Sequence, residues 1–91
     1  MATVYEDIKL LSDAVIQQLL RRAQVEDLLP MMQQDAAVKE LFFRNVKMTT
    51  RLWLQSEMDK RGKPASTVLA RAETELAGIM DELRGNPPEL F

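Results

Sequence analysis

The side chains that could do chemistry in this 91-residue chain are carboxylates and bases, fourteen of the first and twelve of the second, because histidine and cysteine are both absent. Their absence removes the usual ligands of zinc, copper and haem, and with them the side chain best suited to proton transfer near neutral pH. Ser-His-Asp and Cys-His arrangements cannot be built. Carboxylates could still act in pairs, and three adjacent pairs occur: Glu6/Asp7, Glu26/Asp27 and Asp81/Glu82. Neighbours on a helix point to different sides, so none of these pairs converges on one bond of a substrate. The chain is expected to be non-catalytic, with no cofactor and no metal.

The basic side chains are better organised. Arg44, Lys47 and Arg51 stand at intervals of three and four, which brings them to one side of a helix. Along the same side run Phe43, Leu54 and Met58, a second apolar strip opposite the main one. Two uses fit this strip. It can pack against another helix of the chain, with the basic border paired to acidic neighbours, or it can dock a partner through its aromatic and Arg residues. Charge along the chain fits either: residues 1–38 sum to −3, residues 39–63 to +4 and residues 64–91 to −3. The net charge of −2 makes a nucleic-acid backbone the poorer partner. Residues 49–76 admit a helix-turn-helix reading, but Glu73 and Glu75 would then face phosphates. At the end of the chain Pro87 and Pro88 stiffen a tail that presents Leu90 and Phe91. That Leu-Phe pair resembles the end of peptides that bind bacterial sliding clamps, although Pro87 and Pro88 stand where their motif carries glutamine and leucine.

Helices must position these groups. Thr3 and Glu6 form a capping box, and behind it Val4, Ile8, Leu11, Val15 and Leu19 recur at helical spacing. This predicts a first helix from Val4 to Ala23, able to run on to Leu29, with a break or kink at Pro30. Asp35 caps a second start, and Val38, Leu41, Phe42, Val46, Met48, Leu52 and Trp53 share its core face, with Trp53 as an anchor. The helix can reach Arg61 with Gly62 as a left-handed cap, or break among Asn45–Thr50, where helix formers are poor. Met31 and Met32 make an adaptable apolar knot, fit to cap a bundle end or to meet a partner. Pro64 and Ser66 open a third helix whose stripe is Val68, Leu69, Ala72, Leu76, Ile79, Met80 and Leu83, ending at Gly85.

The expected fold is therefore all-α: a small antiparallel bundle of three main helices, four if Pro30 separates one more. One helical domain spans 1–85 and an extended tail spans 86–91. An unbroken helix over 35–61 would be about 40 Å long, against a diameter of roughly 30 Å for a compact chain of this length. A break, an elongated bundle or a second subunit would each resolve the mismatch, and a dimer is expected. No apolar run is long enough to span a bilayer and no secretory signal is seen, so a cytoplasmic location follows. The expected function is a non-catalytic protein–protein interaction module: an adaptor, an inhibitor or a small subunit of a larger complex. Its partner-binding residues would be Phe43, Arg44, Lys47, Arg51, Leu54, Met58, Leu90 and Phe91. The alternative is a nucleic-acid-binding accessory protein using the basic middle helix.

Overall fold

The computed structural model describes residues 3–85 of the chain, all of them in helices or their joints. Six helices follow one another: α1 (Val4–Lys9), α2 (Asp13–Arg22), α3 (Val25–Gln34), α4 (Ala36–Arg44), α5 (Met48–Lys60) and α6 (Ser66–Gly85). The all-α expectation holds, but three long helices become six shorter ones. Each joint has a local cause. Ser12 takes an extended conformation and its hydroxyl accepts the Val15 amide at 3.3 Å. That cap ends the first expected helix at Lys9, although the apolar spacing runs on through Ile16 and Leu19. Thr3 caps α1 in the same way, accepting the Glu6 amide at 3.3 Å. Asp35 caps α4 with one carboxylate oxygen, which accepts the Ala37 and Val38 amides at 2.9 and 3.1 Å.

Pro30 does not break the chain. It lies inside α3, and the breaks fall at Ala23–Gln24 and at Asp35. Because α3 begins only at Val25, Pro30 deprives the helix of a single bond, to the carbonyl of exposed Glu26 in the first turn. A proline in a helix interior costs about 3 kcal/mol. Burial of its ring within the unbroken buried run 27–32 offsets that cost.

That run makes α3 the hub. It packs on α4, α5 and α6, while α1 and α2 lie on α4 and α6. Its Leu29, Met31 and Met32 join Ile8, Ile16, Leu19, Phe42, Leu76 and Met80 in one core. The Met31–Met32 knot is thus core filling rather than a surface. The third stripe is found on α6 with Ala72, Leu76 and Met80 fully inside, while Val68 is left exposed near the helix start. Ser66 is the first residue of α6, and Ala65 supplies the carbonyl that accepts the Leu69 amide. Gly62 is not left-handed: no described residue has positive φ, and α5 closes on Arg61 in an extended conformation.

The middle helix breaks at Asn45–Lys47, where Asn45 and Val46 form a turn and Lys47 is extended. Asn45 holds the turn by donating from its side chain to the Leu41 carbonyl at 2.8 Å. The break divides the expected rod and the body is elongated, 45 × 30 × 19 Å, so the length mismatch is resolved without calling on a second subunit.

Candidate docking surface

The break at Asn45–Lys47 restarts the helical phase, and this decides which side chains of α5 face out. Leu54 and Met58 turn inward, 4% and 7% exposed, to pack on α3. Phe43, at the end of α4, is 7% exposed. These three apolar members of the expected partner-binding strip are therefore spent on the core. Met48, Leu52 and Trp53 take the opposite course: they are 61%, 61% and 49% exposed. Trp53 is not a core anchor, because a continuous helix is required to put it on the face of Val38 and Phe42. The outer side of α5 carries these three with Thr49 and Ser56 between them, all exposed.

The basic residues separate as well. Arg44 is held by α2, its Nη2 and Nε donating to Asp13 Oδ1 at 2.7 and 3.2 Å. Asn45 Nδ2 donates to the same oxygen at 3.0 Å, and Gln17 donates to Asn45 Oδ1 at 3.1 Å. The Asn45 and Arg44 hydrogen bonds keep the Asp13 carboxyl below the ordinary aspartate range. Arg51 is half-buried, with its guanidinium 5.8 Å from the centre of the Phe43 ring. That cation–π contact is its main partner, since its buried Nε has no hydrogen bond. Arg44 and Arg51 border one open groove with Ala37, Glu40 and Leu41. Lys47 lies outside that lining, exposed and without an ion pair among the described residues.

Nothing in this arrangement converges on a reaction centre. Among the described residues no group of acidic side chains could hold a metal ion. The helix-turn-helix reading needs α5 and α6 to support one another, but α5 rests on α3 and α6 on α3 and α2. Leu90 and Phe91 lie outside the described residues.

The comparison with known families turns on the whole chain rather than on one motif. The model of the FliG C-terminal domain matches residues 1–86. The chain belongs to that family. No curated protein and no solved structure matches it significantly. The FliG C-terminal domain is a helical, non-catalytic domain of a flagellar motor switch protein, a protein–protein interaction module of a larger complex. Protein partners and the absence of catalysis are thereby established at the level of the family. Among the described residues no helix is long and apolar enough to cross a membrane.

Sequence reasoning missed Met48, Leu52 and Trp53 as a surface because it assigned all three to the core face of the helix starting at Asp35, although it allowed a break among Asn45–Thr50. The poor helix formers Asn45, Val46, Thr49 and Thr50 mark the break, but not the phase in which the helix resumes.

Proposed function

We propose that this FliG C-terminal domain is a small adaptor subunit that docks, through the outer face of α5, on another protein of a motor switch assembly on the cytoplasmic side of the membrane. The observation that supports this is the group Met48, Leu52 and Trp53 on one helix, three of the five large apolar side chains left in water among the described residues, the others being Leu10 and Val68. Exposed apolar side chains gathered on one helix mark an interaction site, and tryptophan is among the residues that dominate binding energies. The occupant that fits is an apolar helix or sheet face with carboxylates on its rim. Lys47 at the start of α5 and Arg51 beside it would meet those carboxylates.

Leu52→Ser with Trp53→Ser is expected to keep helicity and monomer stability. It is expected to abolish co-purification with the motor switch proteins of the source cell. Undiminished capture of those proteins by the double variant would overturn the choice of face. Salt-sensitive binding to a DNA duplex, undiminished in the same variant, would favour a nucleic-acid accessory role instead.

A further inference from the structure

The end of the molecule furthest along α5 holds a second feature, a pocket of about 450 Å³ between the α3–α4 joint and the loop after α5. That volume lies in the range of ligand-binding clefts, roughly 300–1,000 Å³. Three cations line it: Lys39 from α4, and Arg61 and Lys63 from the loop. No carboxylate is in its lining. Three acids that neighbour the lining residues in sequence are already committed. Asp35 accepts two amides and pairs with Lys9 at 3.0 Å. Glu57 pairs with Lys60 and, at 3.8 Å, with Arg61, while Asp59 accepts from Gln55. Lys39 and Lys63 have no ion pair among the described residues, in contrast to Lys9, Arg22, Arg44 and Arg84. The apolar floor comes from Met32 and Met58, both buried, with Pro64 at the rim. Gln33 fixes the loop over this floor by donating to the Gly62 carbonyl at 3.3 Å.

We infer that this pocket is a receptor for an acidic, partly apolar peptide segment of another protein. Lys39 and Lys63 bring two cations without an ion pair among the described residues to one pocket that no carboxylate lines, and an anionic occupant would complement them. Met32 and Met58 belong to the core at 2% and 7% exposed, so an aliphatic side chain of that segment would meet their exposed edges together with Pro64 at the rim. A bare anion would leave this floor unused. A nucleic-acid backbone would meet a domain of net charge −2. The inference rests on reading the chain as an interaction module, but uses a surface separate from the outer face of α5.

The test follows amide chemical shifts of the full chain during titration with acetyl-Glu-Leu-Glu-Glu-Leu-Glu-amide. Its glutamine counterpart, inorganic phosphate and a short DNA duplex are titrated in parallel. The glutamate peptide is expected to move the amides of Lys39, Gln55, Gly62 and Lys63, and the glutamine peptide to leave them still. Lys39→Glu with Lys63→Glu should weaken the peptide at least about tenfold, a loss in keeping with removal of close charge pairs. Lys39→Arg with Lys63→Arg, which keeps both charges, should retain binding. Lys63→Glu alone, on an exposed loop position, gives the same reading if the double variant does not fold. Equal shifts with the glutamine peptide, with phosphate or with the duplex, or shifts confined to other residues, would overturn the assignment. Leu52→Ser/Trp53→Ser should leave peptide binding intact, so failure of this site and failure of the α5 face are read separately.

Discussion

Leu52 and Leu54 stand two residues apart on α5 and have opposite fates, one in water and one in the core. Their alanine variants should therefore differ sharply. Leu54→Ala is expected to cost about 2–4 kcal/mol in chemical denaturation, the range for a buried leucine that leaves a cavity. Leu52→Ala should stay within about 0.5 kcal/mol of the parent. Equal losses at the two sites would mean that α5 is rotated from the orientation described. Asp27 offers a second test. It is 7% exposed, and burial pushes its carboxyl up, against the pull of Arg71 and with the help of Glu75 and Glu26. An acid whose folded pKa is raised favours the folded state only while protonated. Its ionisation therefore removes stability as pH rises from the unfolded value through the folded one. Asp27→Asn is expected to raise the melting temperature at neutral pH, with the gain shrinking toward pH 4. A gain independent of pH would show that the charge is not responsible.

At the scale of elements, the caps carry the argument. Asp35 serves two helices at once, closing the N-terminus of α4 and holding Lys9 of α1. Burial tends to raise its carboxyl, but the Lys9 hydrogen bond and the Val38 and Ala37 amides outweigh it and hold it below the usual aspartate range. With a depressed folded pKa, the contribution is present above the unfolded value and is lost as pH falls through the folded one. Asp35→Ala should cost about 1–2 kcal/mol, as for other lost caps, at neutral pH. The deficit should vanish in strong acid; a deficit that persisted there would implicate packing instead. Much at this scale was legible in the sequence. Thr3 and Asp35 announce their caps, and the stripe of α6 includes its buried Ala72, Leu76 and Met80, while that of α2 finds Leu19 but has Val15 in place of the buried Ile16. Ser12 was equally visible but was overridden by an apolar spacing that continues across it. Pro30 misled in the other direction, because its effect depends on where the helix begins, and Gln24 gives no side-chain signal for that start.

For the whole molecule, the second apolar strip shows why a candidate surface is harder to read than a fold. Periodicity finds faces, but which face is inward depends on phase, and one three-residue joint at Asn45–Lys47 resets it. Phe43, Leu54 and Met58 then enter the core, and Met48, Leu52 and Trp53 leave it. The same joint divides the rod expected over 35–61, in a body that is itself elongated at 45 × 30 × 19 Å. With that mismatch resolved, the free domain is expected to be monomeric at micromolar concentration by light scattering. A stable dimer that Trp53→Ser dissolves would make a second copy an occupant of α5.

The extended joints at Ser12, Gln24, Asp35 and Lys47 have one more effect. Each interrupts the ladder of backbone hydrogen bonds, so the molecule can open one helix at a time rather than as continuous rods. Native-state hydrogen exchange should then resolve into steps. Amides of six-residue α1, held on its neighbours by Ile8 and by the Tyr5 hydroxyl donated to Glu73 at 2.6 Å, should exchange through the cheapest opening. Those of α3, buried over six consecutive residues, should wait for global unfolding.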